Sequence, residues 1–116
     1  MATGPIRSLG KVTVTSSGTP VRLTLNESTP SARYTCHAFM VEALPTNTGA
    51  VYIMDRSNGV IATLVGVVAI LAIPTTNILP SWTVGLSASA NPIDLSLYYV
   101  DAAVSTDGVL VSALIL

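Results

Sequence analysis

Along much of the chain, apolar and polar residues alternate one by one. Val12 and Val14 are interleaved with Lys11, Thr13 and Thr15, and Val21, Leu23 and Leu25 with Arg22 and Thr24. Trp82, Val84, Leu86 and Ala88 alternate with Ser81, Thr83, Gly85 and Ser87, the clearest such run. A period of two is that of a strand with one buried face. Turn residues separate the runs at short intervals: Ser17-Gly18, Pro45 to Gly49, Ser57-Asn58-Gly59, Pro74 to Pro80, Asn91-Pro92 and Thr106-Asp107-Gly108. The spacing predicts strands over 10–16, 20–25, 33–44, 50–55, 60–66, 67–73, 81–88, 95–101 and 108–115. Asn58-Gly59 predicts a type I′ hairpin turn, because both residues accept positive φ. The expected fold is all-β: an antiparallel β-sandwich, jelly-roll-like, of about eight or nine short strands.

Two segments depart from alternation. Residues 60–73 and 109–116 are apolar on both faces. In a two-sheet sandwich one face of each strand sees solvent, so these segments call for a cover that the chain is too small to supply. The first of them is not a membrane span. Its 14 residues would cover about 21 Å as a helix against a hydrocarbon core of about 30 Å. Pro74 stops it, and its Val and Ile content suits a strand.

The length of 116 residues bounds the chain to one domain over residues 10–116. Residues 1–9, with Gly4 and Pro5 and no alternation, are expected to form an arm, either a frayed terminus or, in an assembly, a segment that reaches a neighbour. Half the residues are hydrophobic and only 9% are charged, against about 25% in a typical soluble domain. That pairing excludes intrinsic disorder. A net charge of −1 argues against a nucleic-acid partner. Ser and Thr, 26 residues together, wet part of the surface. The remaining lack of charge is that of surface destined for subunit contacts, so an obligate oligomer is expected.

A catalytic centre is not expected. His37 is the sole histidine and adjoins the sole cysteine, Cys36. Neighbours on a regular strand point to opposite faces and cannot form a nucleophile–base pair. Two ligands are too few for zinc, and the six carboxylates are dispersed. Asn26-Glu27-Ser28 matches the glycosylation sequon. The start of the chain lacks an apolar leader region, so synthesis in the cytoplasm is expected. No metal, cofactor or catalytic residue is assigned.

Three stretches resemble a known pattern. Lys11-Val-Thr-Val-Thr-Ser-Ser-Gly-Thr-Pro-Val-Arg-Leu opens it, and Ala43-Leu-Pro-Thr-Asn-Thr-Gly-Ala-Val-Tyr-Ile-Met-Asp follows. Leu97-Tyr-Tyr-Val-Asp-Ala-Ala-Val-Ser-Thr-Asp-Gly-Val-Leu-Val-Ser closes it. Together they are similar to small virion proteins of tailed bacteriophages, and in particular to head decoration (cement) proteins. Met54-Asp55 stands where that pattern has Gly-Asp.

The resemblance implies a non-enzymatic structural protein on the capsid surface of the virion. Its partners would be the major capsid protein and itself, as a dimer or trimer, with no nucleic acid and no membrane. Bound to the assembled head, it would stabilise the shell by mass action and multivalency. The candidate interface residues are Ile6 and Arg7 in the arm, Tyr98, and Val109, Val111, Leu114 and Leu116 in the last strand. Two other readings stay open: another virion component (head–tail adaptor, tail or fibre protein), and a carbohydrate-binding module stacking sugars on Trp82, Tyr98 or Tyr99.

Overall fold

The computed structural model describes residues 6–85 and 92–115. It contains β1 (Ile6–Thr13), β2 (Val21–Arg22), β3 (Thr35–Ala43), β4 (Val51–Met54), β5 (Val67–Leu71), β6 (Ser81–Val84), β7 (Ile93–Asp94), β8 (Tyr99–Ala102) and β9 (Gly108–Ile115). A short 3-10 turn, Leu95–Leu97, precedes β8. Every pairing is antiparallel. One sheet runs β1-β9-β3-β6, with β7 continuing the line of β6 along β3, and the other runs β2-β8-β4-β5. Each sheet thus interleaves early and late strands, which is the order of a jelly roll. The all-β antiparallel sandwich expected from the alternation is the fold that forms.

The alternation decides what the sheets bury. Val12, Phe39, Val41, Val109, Val111 and Ala113 of the first sheet meet Val51, Ile53, Leu71 and Val100 of the second in one core. Phe39 anchors one end of that core. Its ring lies 5.8 Å from Trp82, edge to face, and 5.2 Å from Tyr98. A Phe of this kind contributes through area and through ring geometry together.

Strand β9 resolves one of the two-faced segments. It lies between β1 and β3, with Val109 facing Val12 and Ala43 across the two registers. Val109, Val111 and Ala113 point inward and are buried, while Leu110, Ser112 and Leu114 point outward.

Several expectations shift. The arm ends earlier than residue 9, because Ile6, Arg7 and Ser8 already pair with Leu114, Ala113 and Ser112. Leu9 sits in the bulge between Ser8 and Gly10 and enters the core. The left-handed Gly10, φ 80°, makes the bulge, and the Asn26 side chain seals it by donating to the carbonyls of Leu9 (3.0 Å) and Lys11 (2.9 Å). The sequon asparagine is therefore a backbone clamp.

The predicted strand 60–66 does not form. Val60 N–H donates to Val65 O and Leu64 N–H to Ile61 O, so the segment turns on itself, with positive φ at Leu64 and Gly66. Asn58 and Gly59 lack positive φ, so the type I′ turn is absent. The reason is Met54. It is fully buried yet outside the main core, and the loop closes over it so tightly that a Cβ on Gly59 would strike its sulfur. The predicted strands 20–25 and 95–101 shorten to Val21–Arg22 and Tyr99–Ala102. The end of predicted strand 81–88 lies outside the described residues.

Candidate functional site

The reactive side chains are placed where they serve the fold. Cys36 is buried and His37 exposed, on opposite sides of β3 beside a bulge. Burial, with the Asp94 charge behind it, pushes the Cys36 thiol up to about 11, so it stays protonated at neutral pH. Asp94 caps the 3-10 turn: one carboxylate oxygen accepts from Tyr34 N–H (3.0 Å), Ser96 N–H (3.1 Å) and the Ser96 hydroxyl (2.7 Å). Burial pushes that carboxyl up, but these hydrogen bonds and nearby Arg33 outweigh it and hold it below the usual range. Among the described residues, no three His, Cys, Asp or Glu side chains gather as a metal site. No helix among them is long and apolar enough to cross a membrane.

The motif residues form two clamps. Buried Asp101 accepts from Gly18 N–H at 3.0 Å, and the Ser17 hydroxyl donates to Ala102 O at 2.7 Å. Buried Asp107 accepts from Thr48 N–H (3.0 Å) and Gly49 N–H (2.8 Å). Each turn of the opening and middle stretches is thus held by an aspartate of the closing stretch. These motifs encode closure of the sandwich rather than a binding surface.

The sequence-derived interface residues separate into two groups. Val109 and Val111 are 0% exposed and belong to the chain's own core, so they are not available to a neighbour. The error follows from treating a two-faced strand as outward on both faces. Tyr98 is half-buried against Phe39, and Trp82, also half-buried, packs on the same ring. Arg7 is exposed and paired with Glu27 at 3.2 Å. Ile6 and Leu114 are brought together by the β1–β9 register. With Ala38, Met40, Thr83 and Ser112 they border a shallow apolar depression of ≈ 280 Å³ on the outer face of the five-stranded sheet. Leu116 lies outside the described residues.

A second apolar region, absent from the candidate list, is larger. Strand β5 ends the four-stranded sheet, and among the described residues no strand pairs its far edge. Val68 and Ile70 on it are 42% and 51% exposed. Before it, the loop over Met54 exposes Val60, Leu64 and Val65; after it come Ile73, Ile78 and Leu79, also exposed. The signal lay in the charges: residues 57–93 contain no Asp, Glu, Lys or Arg. The two-faced apolarity of residues 60–73 is therefore real and uncovered, although half of that segment is loop.

On the rest of that sheet's outer face the pattern is more polar. Arg22 stacks over the Tyr99 ring at 5.0 Å and donates to Ser96 O at 2.6 Å. Among the described residues, apolar outer surface gathers in these two regions, while Leu25, Leu97, Val104 and Leu110 are exposed elsewhere. No protein-family model, no curated protein and no solved structure matches the chain.

Proposed function

We propose that this chain is a structural assembly protein, a decoration protein of a bacteriophage head that binds the capsid surface and bridges major capsid proteins. The observation that carries the reading is the charge-free, exposed apolar surface along β5 and its flanking loops. Exposed apolar patches of several hundred Å² mark contact sites on soluble proteins. The two aspartate clamps add a rigid platform, since they tie the turns of the opening and middle stretches to β8 and the turn before β9. Jelly rolls also build viral capsid domains, which is support by analogy of fold. The resemblance of the three stretches supplies the phage head in particular.

In this function the chain carries no chemistry. Its work is mass action: a protein that binds only the assembled shell stabilises it, and contact with several subunits at once multiplies a weak affinity. It would be made in the host cytoplasm and act on the virion. Quantitative gel analysis of purified particles tests this. The chain should be present at many copies per particle, comparable to the capsid lattice. Absence from particles would overturn the reading, and a few copies per particle would transfer it to a head–tail adaptor, tail or fibre protein.

A further inference from the structure

We infer that two copies of this chain pair through β5, antiparallel and about a two-fold axis, joining their four-stranded sheets into one. This deepens the assembly reading above and rests on it, by naming the surface through which the chain meets itself.

The argument starts from the edge. An end strand offers unpaired N–H and C=O groups, and native proteins blunt such edges with Lys, Pro, inward charges, bulges or very short strands. Strand β5 is Val-Val-Ala-Ile-Leu, high in β-propensity, with no Lys and no Pro inside it. Its register is shifted at Val67, where it meets Met54, and from Ala69 onward it pairs regularly with β4. The free edge is therefore regular over residues 69–71, where β5 ends.

Self-pairing is the occupant this edge fits. In an antiparallel pair of identical strands a residue on the two-fold axis meets its own copy and its neighbours meet residues equally far beyond the axis, so like charges near the centre would oppose one another. Here none exists from residue 57 to residue 93. Such an arrangement is isologous and closes as a dimer, the commonest symmetry of soluble oligomers. The exposed large apolar side chains on β5 and its two loops amount to on the order of 700 Å², a ceiling on what the pairing buries that lies near the roughly 800 Å² per partner of a standard interface. The outer depression around Ile6 and Leu114 is the weaker candidate, because the edge strand beside it, β1, carries Arg7 and Lys11.

Sedimentation equilibrium of the full chain tests the pairing. A dimer should form, and Ile70→Lys should weaken it at least about tenfold by bringing two ammonium groups close together at the seam. Leu110→Lys, on the outer face of the other sheet, should leave it unchanged. Ile70 is exposed, so circular dichroism should show an unaltered fold. A second measurement is independent of charge. A spin label on Ile70→Cys, with buried Cys36 inert, should give a label-to-label distance of about 20 Å or less, because paired strands lie about 5 Å apart. A chain monomeric at every concentration, a dimer indifferent to Ile70→Lys, or a longer label distance would each overturn the inference. Should Ile70→Lys abolish virion binding in a chain that is always monomeric, the capsid protein occupies the edge; self-pairing is then wrong and the assembly reading stands.

Discussion

The Asn47 side chain pairs with both backbone groups of Gly108, as a neighbouring strand would. Its Nδ2 donates to Gly108 O at 2.8 Å, and Gly108 N–H donates to its Oδ1 at 2.9 Å. Both residues are buried, and 61 positions separate them in the chain. Next to this pair, Asp107 receives the N–H groups of Thr48 and Gly49. The loop between β3 and β4 is thereby tied to the start of β9, the central strand of the larger sheet.

Asn47→Ala should therefore cost more than one ordinary hydrogen bond. It strands the buried Gly108 N–H, whereas the Gly108 carbonyl keeps the Leu44 N–H at 3.2 Å, so the cost is about 1–2 kcal/mol. For a domain of this size that is a fall in Tm of roughly 5–10 °C. Thermal unfolding followed by circular dichroism checks it. A fall of only a degree or two would mean that water replaces the amide freely.

Gly108 and Gly18 make a contrast of space against backbone. A Cβ on Gly108 would drive into the Val12 carbonyl oxygen, which is backbone and cannot step aside. Gly18 has φ 92°, but a Cβ there would meet nothing within 4 Å. Gly108→Ala should prevent stable folding, whereas Gly18→Ala should cost about 1 kcal/mol of backbone strain. Soluble yield and urea midpoints of the two variants check the ranking.

Stability should decline in alkali through Cys36. An ordinary thiol ionises near 9.0, and Cys36 holds its proton to about 11. Between those values the unfolded chain releases a proton that the native chain keeps. The native state then binds more protons, so stability falls as pH rises, by up to about 1.4 kcal/mol per unit. Below that window the contribution is flat. Tyr34, whose hydroxyl burial also pushes upward, adds a loss of the same sign at higher pH. Urea midpoints measured across the window should drop for the native sequence and drop less for Cys36→Ala.

Deleting residues 1–9 should weaken the fold itself. The cut removes the Ile6–Ser8 pairing with β9 and the buried Leu9 side chain. Burial of one Leu is worth about 2–3 kcal/mol, and the lost pairing adds to it. Hydrogen exchange should show β9 amides losing protection along its β1 side. A truncated chain with native midpoint and protection would restore the arm as a purely intermolecular element.

The alternation at Val12 and Val14, at Trp82 and Val84, and at Val21 made most strands legible, because side-chain direction along a strand is a local property with a period of two. The same rule by itself places Cys36 and His37 on opposite faces of their strand. Turn residues were legible as turns, but not their partners. Nothing local in Asn47 or Asp107 says that one mimics a strand and the other seizes two N–H groups from a turn 58 and 59 residues away.

Residues 60–73 and 109–116 show where local reading stops. Both are apolar on two faces, and pattern alone treats them alike. Strand β9 became central, flanked on both edges, and its inner Val109 and Val111 vanished into the core. Strand β5 fell at an edge, and the residues before it folded over Met54 as a loop. The sequence by itself determined the β class, the strand spacing and an excess of apolar surface over charge. The tertiary structure alone decided which apolar face is covered, because sheet order is set by non-local burial among all strands at once, while periodicity reports only the direction in which each side chain points.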